Sequence, residues 1–152
     1  MKTQNSKIKI QTFQSNSPEK TFEFGEKIGD SLKGGEIILL KGSLGAGKTL
    51  LTKGILNSLD FDVDEVNSPS FTLVNEYEAK FDVFHIDLWR LEDGSDMVFA
   101  VGLNEILDDE KAIVIIEWSE KLNKVSFERK IIDVHLKGDG DEPREISVNN
   151  LT

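Results

Sequence analysis

The chain has 152 residues, 38% of them hydrophobic and 30% charged, and no cysteine. That is the balance of an ordinary globular domain, with neither a disulfide framework nor a thiolate metal site. Asp and Glu outnumber Lys and Arg by 28 to 18, giving a net charge of −10, which argues against a free-standing grip on RNA or DNA, where affinity comes largely from basic side chains meeting phosphate.

Met1-Lys2-Thr3-Gln4-Asn5-Ser6-Lys7 carries no apolar run of a secretion signal, and the longest apolar stretch, residues 112–116, is too short to span a bilayer. A cytoplasmic protein without membrane contact is expected. No repeat or low-complexity tract divides the chain, so residues 1–152 are read as one domain. Alternation over residues 8–13 predicts a strand. Ser17-Pro18 then has the form of a helix cap followed by proline in the first turn. Phe22, Gly25, Ile28, Gly29 and Leu32 recur at helical spacing, and Gly34-Gly35 is expected to stop that helix. Residues 36–40 are a short apolar run of the kind buried on both faces of a sheet. A glycine-rich loop follows, then a helix bearing Leu50, Leu51, Ile55, Leu56 and Leu59.

Residues 60–70 read as a polar loop. Runs 71–78 and 81–87, separated by Ala79-Lys80, predict an antiparallel hairpin. A broken helical region is expected from Asp93 to Leu107 and a second buried strand over 112–117. Runs 130–136 and 145–148 flank a Gly/Asp/Pro-rich turn and predict a closing hairpin. The fold class is therefore α/β, a mixed parallel and antiparallel sheet flanked by helices. The acid-rich stretches 60–65 and 108–110 are read as solvated surface.

Gly42-Ser43-Leu44-Gly45-Ala46-Gly47-Lys48-Thr49 fits the phosphate-loop pattern G-x-x-x-x-G-K-[ST]. Its glycines let backbone N–H groups approach phosphate oxygens, and the helix beginning near Lys48 turns its positive end toward an anion. Lys48 supplies a cation for the β- and γ-phosphates, and the Thr49 hydroxyl is suited to Mg²⁺. Mg-ATP is the ligand this pattern implies. Such a site also needs a carboxylate at a strand end. Val83-Phe84-His85-Ile86-Asp87 and Ile113-Val114-Ile115-Ile116-Glu117 each offer one, and composition does not rank them. Alone, either acid is an ordinary strand end.

His85 has only His135 as a fellow histidine, which argues for a packed or hydrogen-bonded role and against zinc. Trp89 and Trp118 lie just beyond the two acids, and at least one is expected in the core. Arg90 is either a phosphate-sensing cation or half of a salt bridge. Ser68-Pro69-Ser70-Phe71-Thr72 is ordinary loop chemistry, placed where a switch segment would sense a γ-phosphate.

Four segments carry a more specific signal when taken in order: residues 43–49, residues 68–74, His85-Ile86-Asp87-Leu88-Trp89-Arg90-Leu91, and Glu117-Trp118. Together they resemble the bacterial tRNA threonylcarbamoyladenosine biosynthesis ATPase family, TsaE (formerly YjeE), over roughly residues 17–145. The resemblance implies a compact P-loop fold, weak intrinsic ATPase activity, and a part in forming N6-threonylcarbamoyladenosine at tRNA position 37. It further implies that the protein acts on a heterodimer of the transferase and its paralogous partner, where ATP hydrolysis allows multiple turnover. Contact with tRNA would be indirect.

By motif position, Gly42, Ser43, Gly45, Ala46, Gly47, Lys48, Thr49 and Leu50 would surround the nucleotide phosphates. Thr49 and Glu117 would hold Mg²⁺, and Asp87 would be the Walker-B-like acid. Lys48, Asp87 and Glu117 are thus the catalytic candidates. Ser68, Ser70 and Thr72 would form the switch loop, Trp118 would lie near the nucleotide, and Ser17, Thr21 and Arg144 would approach the adenine. The family usually has Asp where Ser43 stands, Thr where Ser70 stands and Tyr where Trp89 stands, departures that bear on hydrolysis and partner contact. Two other functions share the phosphate loop. A small-molecule kinase would need an arginine-rich lid, and this chain has three arginines, Arg90, Arg129 and Arg144. A nucleotide-sensing scaffold would need no turnover.

Overall fold

A computed structural model describes residues 10–42, 47–66, 74–88, 102–119, 129–138 and 141–149. Along these run β1 (Ile10–Ser15), α1 (Pro18–Asp30), β2 (Ile37–Gly42), α2 (Lys48–Ser58), β3 (Val74–Glu78) and β4 (Asp82–Asp87), then α3 (Leu103–Leu107), β5 (Ile113–Glu117), β6 (Ile131–Lys137) and β7 (Arg144–Asn149). One sheet joins all seven strands in the order β1-β7-β6-β2-β5-β4-β3. β2 pairs in parallel with both β5 and β6, and β5 in parallel with β4. The outer pairs β1–β7, β6–β7 and β3–β4 are antiparallel. The chain is therefore α/β with the mixed sheet that its two hairpins and two apolar strands predict.

Burial explains the strand sequences. Every residue of β5 is buried, and an all-apolar run is what a strand covered on both faces requires. β6 and β7 instead alternate between buried and more exposed positions. On one face Ile38, Leu40, Ile113, Ile115, Ile132 and Val134 pack with Leu51, Ile55 and Leu56 of α2 and with Phe24 and Ile28 of α1. On the other, Ile37, Val114, Ile116 and Ile86 pack with Leu88 and Ile106.

α1 starts as the sequence predicts. Ser17 is extended and its side chain accepts from the Lys20 N–H at 3.2 Å, with Pro18 in the first turn. Its end differs from expectation. The helix stops at Asp30, and Ser31 Oγ donates to the Ile28 carbonyl, so Leu32 lies beyond the last turn. Gly34 and Gly35 come later, at φ +108° and +88°. The buried Glu36 carboxylate holds that turn by accepting from the N–H groups of Lys33 and Gly34. The buried face of α1 keeps Gly25, Ile28 and Gly29 of the expected set and adds Thr21 and Phe24, while Phe22 is only half-buried.

The first hairpin turns over Ala79, Lys80 and Phe81, one residue more than its sequence spacing suggests. A single 3₁₀ turn, Val63–Glu65, interrupts the polar loop after α2. The acid-rich stretches around it and at 108–110 carry exposed carboxylates, as expected. Residues 8–9, 67–73 and 93–101 of the predicted elements lie outside the described residues. No helix among the described residues is long and apolar enough to cross a membrane.

α1 and α2 touch backbone to backbone. A Cβ at Gly54 would stand 2.1 Å from the Phe22 carbonyl oxygen, and one at Gly25 would stand 2.3 Å from that of Leu51. Glycine in a helix interior ordinarily costs about 0.5–1 kcal/mol relative to alanine. Here the sign reverses, because alanine would force the helices apart. Gly54→Ala should destabilise by about 1–3 kcal/mol and lower Tm by roughly 3–10 °C. A scanning melt of the variant checks this, and an unchanged or raised Tm would remove the close-packing account.

Candidate functional site

The loop between β2 and α2 leaves the central strand of the sheet and re-enters the fold at Gly47. Ser43, Gly45 and Ala46 lie outside the described residues. Gly47 adopts φ +106°, a left-handed conformation that side chains resist. Its carbonyl accepts from the Leu51 N–H at 2.9 Å, the first bond of α2. No side chain caps this helix start and no acid sits in its first turn. Its N–H groups and positive dipole end therefore suit an anion.

Lys48 is 6% exposed. Its Nζ donates to the Gly42 carbonyl at 2.6 Å and stands 3.7 Å from the centroid of the Trp118 ring. A cation–π contact of this kind, desolvated, contributes about 2 kcal/mol. Lys48 is therefore not turned to a ligand alone, since its side chain also ties the start of α2 to the end of β2. Thr49 and Leu50, next along, are half-buried in the first turn of α2. Trp118 has φ +60° and its N–H donates to the Leu40 carbonyl at 3.1 Å. A bulky residue in that region stores about 1–3 kcal/mol of strain, a feature that gathers at functional sites. Its ring packs at the edge of the second core cluster and also meets the lysine, so the core expectation holds in part. Trp89 and Arg90 lie outside the described residues.

Asp87 and Glu117 are Cα partners in the parallel pairing of β4 with β5, and Glu117 in turn partners Leu40 of β2. Side chains alternate along strands. The two acids therefore share the face that carries His85, Ile115 and Leu40, on which α2 packs. They are 5% and 3% exposed. His85, fully buried, bonds through Nε2 to Glu117 Oε2. The sequence indicates a packed or hydrogen-bonded histidine but gives no partner for it.

Beside Gly47 lies a pocket of about 360 Å³. Ser17, Pro18 and Thr21 of the α1 start form one wall with Ser15 and Asn16, and Leu50 of α2 forms another. Asp141, Glu142 and Arg144 close it. Ser15 Oγ bonds Thr21 Oγ1 at 2.7 Å and donates to the Ser17 carbonyl, fixing that corner. The structure thus brings Ser17, Thr21, Leu50 and Arg144 together with Gly47. Sequence reasoning omitted Ser15, Asn16, Asp141 and Glu142, and only their adjacency to Ser17 and Arg144 could have signalled them. Ser68, Ser70 and Thr72 lie outside the described residues. Among the described residues no three His, Cys, Asp or Glu side chains form a cation cage.

Known proteins match the chain in sequence and in fold. A sequence profile of the family described as "Threonylcarbamoyl adenosine biosynthesis protein TsaE" matches residues 15–146. The chain is 41% identical over 108 residues to the tRNA threonylcarbamoyladenosine biosynthesis protein TsaE of Nostoc sp., a match covering 68% of this chain and 65% of that protein. It is 41% identical over 107 residues to the Aquifex aeolicus protein of the same name, covering 69% and 74%. With the Bacillus subtilis one it shares 32% over 132 residues, covering 86% and 80%. In fold it is similar to the crystal structure of Bacillus subtilis YdiB, with a TM-score of 0.74 at 24% identity over 96% of this chain and 88% of that one. On the profile and these identities, the chain belongs to the threonylcarbamoyl adenosine biosynthesis protein TsaE family.

Proposed function

We propose that the chain binds Mg-ATP and hydrolyses it slowly, in support of tRNA N6-threonylcarbamoyladenosine formation at position 37. One observation carries the reading: Lys48 stands at the uncapped head of α2, while Asp87 and Glu117 end adjacent parallel strands on the face against which that helix packs. In this reading the ammonium of Lys48 and the first N–H groups of α2 meet the phosphates, and the pocket beside Gly47 takes the nucleoside. Thr49, Glu117 and Asp87 offer only hydroxyl and carboxylate oxygens, the donor set that Mg²⁺ accepts, and waters and phosphate oxygens complete such a shell. Thr49 and Glu117 hold the ion, which supplies charge neutralisation at the β/γ-phosphates. Asp87 orients water. Trp118 keeps Lys48 aimed into the loop.

The partner in this reading is the heterodimer of the threonylcarbamoyl transferase and its paralogous subunit, with tRNA touched only through it. Family membership supports this, and so does the charge of −10. A cytoplasmic location follows from the role. The kinase alternative gains nothing from Arg129, which is turned to the backbone carbonyls of Gly35, Asp109 and Ala112. The deciding experiment counts modified tRNA per transferase in a purified system with and without this chain. Multiple turnovers should appear only with it. Equal yields would overturn the proposal, and phosphate transfer to a small acceptor would favour a kinase.

Mg-ATP at about a hundred times its Kd should stabilise the fold by ~2.7 kcal/mol, a rise in Tm of roughly 5–10 °C. Lys48→Ala should abolish that rise. Because its side chain also bonds Gly42 and stacks on Trp118, the variant's own melt without nucleotide is the baseline. A preserved shift would contradict the phosphate-loop reading.

The two acids should separate in titrations run with and without Mg²⁺. Glu117→Ala should weaken Mg-dependent binding and hydrolysis together. Asp87→Asn should keep most affinity and lose turnover. The reverse pattern would exchange their roles.

A further inference from the structure

Glu117 does not stand alone in its strand row. His85 lies one pleat step below Asp87 on the neighbouring strand, opposite Ile115. Its ring is fully buried, and Nε2 meets Oε2 of Glu117. The other ring nitrogen, Nδ1, is buried with no hydrogen-bond partner. The ring of Tyr77 lies 6.4 Å away between centroids, and its hydroxyl accepts from Asn75.

A hydrogen lies between Nε2 and Oε2, so the contact holds the carboxylate by that oxygen. With Nδ1 lacking a hydrogen-bond partner, the bond to Glu117 is what fixes the ring, and the ring in turn fixes the carboxylate.

We infer that His85 is a positioning residue for Glu117: it holds Oε2 and so fixes the orientation in which the carboxylate is presented. The inference rests on the reading of Glu117 as a magnesium ligand. Partners one shell out from a metal fix the orientation of its ligands, and their loss typically weakens metal affinity or activity 10–100-fold. The geometry gives His85 that place although it touches neither phosphate nor metal in this reading.

The test titrates Mg-ATP and magnesium-free ATP against the full chain and its variants. His85→Leu should weaken Mg-ATP binding roughly tenfold or more and leave magnesium-free binding unchanged, the latter also reporting an intact fold. His85→Gln, whose amide N–H can reach the same carboxylate oxygen, should recover most of the loss. In a Glu117→Gln background, His85→Leu should cost nothing further, because the histidine acts only through the acid. A long-range ¹H–¹⁵N spectrum of the unaltered protein should show His85 hydrogen-bonded at Nε2, and this keeps the inference testable even where His85→Leu does not fold. A ring with no hydrogen bond at Nε2, or a His85→Leu variant that binds Mg-ATP as tightly as the parent while Glu117→Gln does not, would overturn the positioning role alone. Glu117→Gln with undiminished Mg-dependent affinity would instead sink the reading of Glu117 itself.

Discussion

The parallel pairing of β4, β5 and β2, with Asp87, Glu117 and Leu40 as partners in one row, is the constraint from which the site follows. Two residues beyond Leu40 the central strand ends at Gly42, whose carbonyl receives Lys48. One residue beyond Glu117, Trp118 turns its ring under the same ammonium. A slip of one residue in β5 would turn Glu117 to the opposite face and carry Trp118 away from the lysine. The register is held by the apolar contacts of the strand that leads up to the site, Ile113 and Ile115 on one face and Val114 and Ile116 on the other.

Burying two carboxylates, a histidine and a lysine at one sheet end is costly unless each is satisfied. The arrangement meets this demand locally for two of them, while His85 keeps one ring nitrogen without a hydrogen-bond partner. Lys48 has a carbonyl and an aromatic face, and Glu117 has an imidazole. The strained backbone at Trp118 is part of the same arrangement, since that turn both anchors its N–H on Leu40 and swings the ring beneath Lys48.

How far the sequence reveals this varies with the range of the interaction. The cap at Ser17, the run before Gly42 and both hairpins depend on neighbours a few residues apart, and their signals are local. The phosphate-loop pattern is local too, and it marks Lys48 and Thr49 without any fold. The partners of Glu117 are different. His85 is 32 residues away along the chain, and nothing in either strand says that β5 lies between β2 and β4. The pocket shows the same limit: Ser15 and Thr21 are near in sequence, whereas Arg144 joins them only because β1 pairs with β7. The early end of α1 escapes a reading by glycines, because Ser31 closes the helix with its hydroxyl three residues before Gly34.

The glycine contact between α1 and α2 has a mechanical consequence. With Gly25 against Leu51 and Gly54 against Phe22, no side-chain layer separates the two helices at those points to act as a bearing. They behave as one rigid body. Ser17 and Thr21 ride on its first half, and Gly47, Lys48 and Leu50 on its second. The walls that these residues give the pocket therefore keep a constant spacing, and any widening of it comes from the opposite side, where Asp141, Glu142 and Arg144 lead into the last strand.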